Sequence, residues 1–279
     1  MSNSLISLET QRRIPLLARA VKECSTLALQ AFNYDYCEVR VKPDGTKVTP
    51  WDTHLNELFI LSVFRNFPND TVIGEEAVFE PDDPTGYVWG VDPIDGTSGF
   101  IDAVAKKDPE QCESSVMAFL MAPGETRPAA AVVERISPVY EAFLVVKGMA
   151  TEGSSMPPAQ VVANEYVAGL YDYSHWGPEQ ERVSFDGLHP GSRRNTPSMG
   201  MAAARVVLGQ TDFAVYSGTR IRPHDYVPAA MIAEHLMDGW VTDQCGRDLD
   251  EHDWRQPLDG LIIARDKKLG AQLVELLNN

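Results

Sequence analysis

The stretch Val88-Trp89-Gly90-Val91-Asp92-Pro93-Ile94-Asp95-Gly96-Thr97 is an apolar run that ends in two carboxylates, a glycine and a hydroxyl. Tyr87 to Val91 is too short for a stable helix and rich in aromatic and β-branched residues, so it predicts a strand. Pro93 lacks a backbone donor and is expected to stop the ladder. Asp92 and Asp95, separated by Pro93 and Ile94, can both turn toward one point, and Gly96 lets the backbone approach a ligand closely. Two ionised carboxylates at close range repel each other. A divalent cation such as Mg²⁺ removes that conflict, because it takes oxygen ligands and shares them with substrate phosphates. Thr97 adds a hydroxyl where an attacking water needs orienting. The competing reading is an Asx turn in which both aspartates cap backbone amides. The stretch alone leaves the two open.

The chain of 279 residues can bury a large core as one large domain or two closely packed ones. The Gly- and Pro-containing stretch Gly148 to Pro158 is the expected junction, dividing the chain into parts 1–150 and 151–279. With 24 Lys+Arg against 40 Asp+Glu the formal charge is −16, which argues against a nucleic-acid polymer or an anionic membrane as partner. An anionic substrate would need local neutralisation, which bound cations supply. Cys24, Cys37, Cys112 and Cys245 have no spacing that suggests zinc or redox chemistry. With no basic-then-apolar leader and no apolar stretch of spanning length, a cytoplasmic location is expected.

Along the chain, Leu17, Val21, Cys24, Ala28 and Ala31 recur at helical spacing within a helix expected from Ile14 to Phe32, with Pro15 near its start or kinking it. Tyr36 to Val41 predicts a strand before the turn Lys42-Pro43-Asp44-Gly45-Thr46. Asp52 lies near the start of the next helix, where capping alone would explain it. Thr71 to Gly74 predicts a strand running into Glu75-Glu76, of which one is expected to face a site and the other solvent or a neighbouring side chain. Ile101 to Ser114 reads as a loop with polar ends. Strands follow at Ser115 to Met121, Ala129 to Ile136 and Val139 to Val146. Beyond the junction come a strand at Gln160 to Ala163, an aromatic loop from Tyr171 to Gly177 holding His175, and a basic turn at Arg193-Arg194. A helix capped by Ser198 ends at Gly209, and a strand covers Thr211 to Tyr216. A helix opened by Asp225 as N-cap, with Pro228 in its first turn, closes at Gly239. Strands at Trp240 to Thr242 and Gly260 to Ala264 precede a last helix, Leu269 to Leu277.

Taken in order, Val48-Thr49 with Asp52, Ile73-Gly74-Glu75-Glu76, Asp92-Pro93-Ile94-Asp95-Gly96-Thr97, Asp225 at a helix start, and the tail Leu261-Ile262-Ile263-Ala264 resemble the inositol monophosphatase family. That family belongs to the lithium-sensitive, Mg²⁺-dependent sugar phosphatases. The resemblance spans nearly the whole chain and turns the reading from capping to catalysis. It implies an α/β (α+β) fold, the alternating αβαβα layered sandwich, and a homodimer. Carried residue by residue, it places Glu76, Asp92 and the carbonyl of Ile94 on one Mg²⁺, and Asp92, Asp95 and Asp225 on a second. Glu76 would help hold a third, giving two or three ions. Asp52 would bond Thr97, which with Glu76 orients the attacking water, and the amides of Gly96 and Thr97 would meet the phosphate.

The resemblance implies hydrolysis of a small phosphomonoester (a sugar, polyol, inositol or histidinol phosphate) by metal-activated water. A 3′-phosphonucleotide phosphatase, a catalytically silent metal-binding regulator of the same fold and a two-metal nuclease are the alternatives. Two departures bear on the substrate. His224-Asp225 stands where the family usually has Trp-Asp, and Gly218 stands where inositol phosphatases place a glutamate that grips a sugar hydroxyl.

Overall fold

Every residue of Ser115–Met121 is buried, a condition met only by a strand covered on both faces. Its side chains divide by parity. Val116, Ala118 and Leu120 join one apolar cluster, and Met117, Phe119 and Met121 join another. Two layers must therefore flank this strand.

The computed structural model describes residues 6–34, 37–43, 45–139, 141–147, 169–172, 194–195, 197–216, 220–237 and 239–278. Helix α1 (Leu8–Ala28) leads into the hairpin β1 (Arg40–Val41) and β2 (Lys47–Val48), then α2 (Pro50–Asn66). Strands β3 (Thr71–Gly74), β4 (Val78–Phe79) and β5 (Val88–Asp95) follow, and α3 (Thr97–Lys106) leaves the end of β5. With β6 (Ser115–Met121), β7 (Ala130–Arg135) and β8 (Ala142–Val146) they form a mixed sheet in the order β4-β3-β5-β6-β7-β8. A second sheet has the order β10-β9-β11-β13-β12, from β9 (Gly169–Asp172), β10 (Arg194–Asn195), β11 (Phe213–Tyr216), β12 (Trp240–Thr242) and β13 (Leu261–Ala264). Helices α4 (Met199–Val207), α5 (Pro223–Leu236) and α6 (Lys267–Asn278) complete the described chain.

Helices α1 and α2 cover one face of the six-stranded sheet, α4 and α5 fill the space between the two sheets, and α6 closes the far side of the second sheet. The result is the expected αβαβα sandwich. The central layer reads in the sequence as small residues, since Ala202, Ala203, Ala204, Ala229, Ala230 and Ala233 let α4 and α5 lie close together between two sheets.

Several boundaries differ from expectation, each for a physical reason. Helix α1 begins at Leu8, six residues before the expected Ile14, because Ser7 caps it by accepting the amide of Thr10 at 3.1 Å. Pro15 lies on its exposed face, inside the helix rather than near its start. Pro93 does not end β5. The ladder to β6 shifts register between Asp92 and Asp95, so the proline sits in a bulge where no donor is required. Ile101 to Ser114 is not a loop throughout, because α3 runs from Thr97 to Lys106 and buries Phe100, Ala103 and Val104 at helical spacing. Asp225 is not an N-cap but the third residue of α5, whose cap is Arg222, and Pro228 lies inside the helix. The expected junction at Gly148 to Pro158, the strand at Gln160 to Ala163, His175, Arg193 and Gly218 lie outside the described residues.

One buried ion pair ties the first helix to the strands that carry the site. Arg13 grips Asp70 with two parallel bonds of 2.7 and 3.0 Å. Asp70 also accepts from Thr85 at 2.6 Å and from the indole of Trp89 on β5 at 2.9 Å. The guanidinium lies over the ring of Tyr87 at 3.7 Å. Arg13→Met removes one partner and leaves a buried carboxylate uncompensated, so the expected loss of stability is about 3 kcal/mol or more. Urea unfolding measures it, and a loss under about 1 kcal/mol would show the pair to be incidental.

Candidate active site

On β5 the residues Trp89 and Val91 face α1 and α2, so the alternate residues Val88, Gly90 and Asp92 face the central layer, against which α5 packs. The parallel ladder of β3 on β5 ends at Gly74↔Val91, and the amide of Glu75 still donates to the carbonyl of Val91 at 3.1 Å. That step sets Glu75 beside Asp92. The first turn of α5 brings Asp225 to the same place, and the bulge after Asp92 brings Asp95.

The charges of these groups meet. Burial pushes the pKa of Asp92 well above the usual carboxylate range, and the charges of Glu75, Asp95, Asp225 and Asp52 push it further. Asp95 is pushed up to about 6 by burial, against four hydrogen bonds that favour its charged form. Those bonds come from the hydroxyls of Ser115 and Ser198 and from the amides of Met199 and Gly200 at 2.9 and 2.8 Å. The start of α4 thus docks on Asp95 as a helix N-terminus docks on an anion. The docking is close, since a Cβ on Gly200 would stand 2.5 Å from the sulfur of Met117 and 2.8 Å from the hydroxyl of Ser115.

Asp52 fulfils both of its expected roles, one with each oxygen. Its Oδ2 accepts the amide and hydroxyl of Thr49 at 2.8 and 2.6 Å, closing a capping box at the start of α2. Its Oδ1 accepts from the hydroxyl of Thr97 at 3.0 Å. Burial lifts its pKa to about 6. Thr97 is the first residue of α3, after Gly96 in a left-handed conformation (φ 86°) that turns the chain from strand to helix. The first-turn amides of α3 have no intrahelical acceptor by position, so an anion is favoured there. The carbonyl of Ile94 lies 3.1 Å from the Thr97 hydroxyl.

Glu75 and Glu76 do not diverge as expected. Both accept from the ammonium of Lys42, at 2.7 and 2.6 Å. Lys42 follows β1 and leads into the hairpin turn. Of the two, Glu75 is the one whose charge reaches Asp92 and Asp52, whereas the expectation assigned the ligand role to Glu76. The parallel register of β3 and β5 is the signal that could have shown this. No local signal in the sequence points to Lys42, Ser115 or Ser198, because each acts on a carboxylate far away along the chain.

Among the described residues no three His, Cys, Asp or Glu side chains already converge as a ready-made metal site. Lys42 pairs with Glu75 and Glu76, and the start of α4 takes Asp95. The donor set nevertheless suits a hard cation, being carboxylate oxygens around a buried Asp92 whose ionisation is opposed by burial and by the neighbouring charges.

The model described as the inositol monophosphatase family matches residues 10–279. The chain belongs to the inositol monophosphatase family. It is 25% identical over 201 residues to the inositol-1-monophosphatase of Bacillus subtilis, covering 70% of this chain and 72% of that protein. It is 34% identical over 91 residues to the histidinol-phosphatase of Chlorobaculum parvum, a match covering 33% of this chain and 35% of the relative's length. A crystal structure of an IMPase/NADP phosphatase complexed with Mg²⁺ and phosphate overlays with a TM-score of 0.73 at 18% identity, covering 96% of this chain and 95% of that one. The family fold is therefore retained across the sandwich. No helix among the described residues is long and apolar enough to cross a membrane.

The raised carboxylates make a pH prediction. A carboxyl whose pKa is higher folded than unfolded contributes stability that is present below about 4 and lost as pH rises through the folded value. Asp92→Asn keeps the acceptor for the amide of Ile94 and removes the charge. In EDTA the melting temperature of Asp92→Asn minus that of the wild type is expected to grow as pH rises from about 4 to neutrality. A difference that stays flat over that range would show that Asp92 titrates normally.

Proposed function

We propose that the protein is a Mg²⁺-dependent phosphatase that hydrolyses a small phosphomonoester by activated water. The observation that carries this reading is the approach of Glu75, Asp92, Asp95 and Asp225 to one another from the ends of β3, β5 and α5, beside a hydroxyl held by Asp52. Glu75, with Glu76 beside it, Asp92 and the carbonyl of Ile94 would hold one ion, and Asp92, Asp95 and Asp225 a second. When bound, such ions lower the pKa of coordinated water and neutralise charge on the phosphoryl group. The rest is the work of the chain. Thr97 donates its hydroxyl hydrogen bond to Asp52, which leaves lone pairs on the hydroxyl oxygen to accept from a water and orient it. The amides of Gly96 and Thr97, at the start of α3, receive the phosphate oxygens. Glu76 holds Lys42 close to the same edge of the site. Family membership and the histidinol-phosphatase and inositol-1-monophosphatase relatives support a sugar, polyol, inositol or histidinol phosphate as substrate.

Purified protein is expected to release phosphate from at least one of inositol 1-phosphate, histidinol phosphate and fructose 1,6-bisphosphate when Mg²⁺ is present and to stop when EDTA is added. Asp92→Asn should lower kcat/KM on the order of 100-fold or more, since even the outer partners of metal ligands are worth roughly 10–100-fold. Glu75→Gln should cost more than Glu76→Gln, and the reverse order would restore Glu76 as the principal ligand. No release from any of the three esters, with Mg²⁺ binding confirmed by calorimetry, would favour a catalytically silent regulator.

A further inference from the structure

Of the residues that α2 buries, Leu55, Phe59 and Val63 are apolar, whereas Asp52 and Asn56 are polar and have no exposed surface. The two polar ones are four apart and so share a face of the helix. Asp52 serves the hydroxyl of Thr97. Asn56 serves the turn that carries the glutamates. Its Oδ1 accepts the amide of Glu76 at 3.2 Å, and its Nδ2 donates to the carbonyl of Ala77 at 3.3 Å. Those partners fix which end of the side chain is which, because an N–H needs an acceptor and a carbonyl needs a donor. The same Ala77 carbonyl receives the amide of Gly74 at 3.0 Å, which closes the turn. Gly74 admits the approach, since a Cβ there would stand 2.0 Å from Oδ1 of Asn56. The turn is thus pinned from two sides, at Glu75 by the carbonyl of Val91 and at Glu76 by Asn56. Burying an amide on an otherwise apolar face is costly unless its bonds are made, so this amide is spent on the turn.

We propose that Asn56 is a positioning residue for the glutamate turn: it holds Glu75 and Glu76 so that both carboxylates close on one cation, and through them it sets the affinity for Mg²⁺. The proposal rests on the phosphatase reading above for the identity of that cation. Asn56 acts through the backbone of Glu76 and Ala77 and bonds neither carboxylate itself. That the turn can present both carboxylates to one positive group is visible at Lys42, whose ammonium both reach. Mg²⁺ is more exacting than an ammonium, since it requires near-octahedral oxygens at about 2.0–2.1 Å, so small shifts of the turn are felt in its affinity. One face of α2 then serves both halves of the site, Asp52 the hydroxyl that orients water and Asn56 the glutamates.

Calorimetry of Mg²⁺ binding compares the wild type with Asn56→Leu, which keeps the bulk of the side chain and loses both bonds, and with Val63→Ala, which loosens the apolar face of the same helix. Asn56→Leu is expected to weaken binding about tenfold or more, as loss of an outer partner of a metal ligand does. Val63→Ala is expected to stay within about twofold of the wild type, because it is remote from the turn. Asn56→Asp, which keeps the acceptor for the amide of Glu76, should recover most of the affinity. Equal affinity in the wild type and Asn56→Leu, or an equal loss in Val63→Ala, would overturn the proposal. Where Asn56→Leu does not fold, Asn56→Ser, too short to reach either backbone group, is read in its place. If the wild type binds no Mg²⁺, the metal reading fails by itself, and the hold on the glutamates is read from Lys42. In EDTA, the drop in melting temperature caused by Lys42→Met should shrink by roughly half or more in the Asn56→Leu background, because glutamates freed from the turn no longer meet the ammonium. Equal drops in the two backgrounds would refute the positioning role.

Discussion

The rest of the structure depends on holding Asp52, Asp92 and Asp95 out of water in one region. Asp92 is the centre of that constraint, because it is buried at the end of a central strand with like charges on neighbouring elements. Charge in such a place must be paired, hydrogen-bonded or protonated. The protein uses all three. The start of α4 takes Asp95, the ammonium of Lys42 takes both glutamates, and burial raises the pKa of Asp92 and Asp52 toward the neutral form. Each of these also fixes architecture. Docking α4 on Asp95 joins the central layer to β5, and Lys42 joins the small hairpin to the end of β3.

The layered fold serves the same end. Strands covered on both faces cannot hold ionised side chains along their length, so polar chemistry is confined to their ends. Asp92 and Asp95 stand where β5 runs out, Glu75 where β3 runs out, and Asp225 where α5 begins. The Arg13–Asp70 pair works on the opposite side of the sheet, fixing α1 to β5 through Trp89. Identity to a solved structure at 18% alongside a TM-score of 0.73 shows the fold kept on a largely different sequence, since packing admits many apolar solutions.

Much of this was legible in the sequence. Thr71–Gly74, Ser115–Met121 and Trp240–Thr242 have the expected boundaries, because short β-branched or apolar runs with polar or glycine flanks have one reading. The ordered acidic motifs fall at strand and helix ends that the fold brings near Asp92. What the sequence concealed was long-range. Ser7 is itself a capping residue that marks the start of α1, but the partner of Arg13 at Asp70 is shown only by the folded chain. Helix α3 was hidden because its apolar face begins inside the motif that reads as a turn. Placing Glu75 beside Asp92 required the register of β3 on β5, which alternation within one strand cannot supply.

The division of Asp52 between two tasks bears on how divergent sequences of this kind are interpreted. One of its oxygens closes the cap of α2, and the other receives the Thr97 hydroxyl. A lineage released from catalysis would still be selected to keep the aspartate, because α2 would lose its cap without it. Retention of Asp52 is thus weak testimony to a living activity.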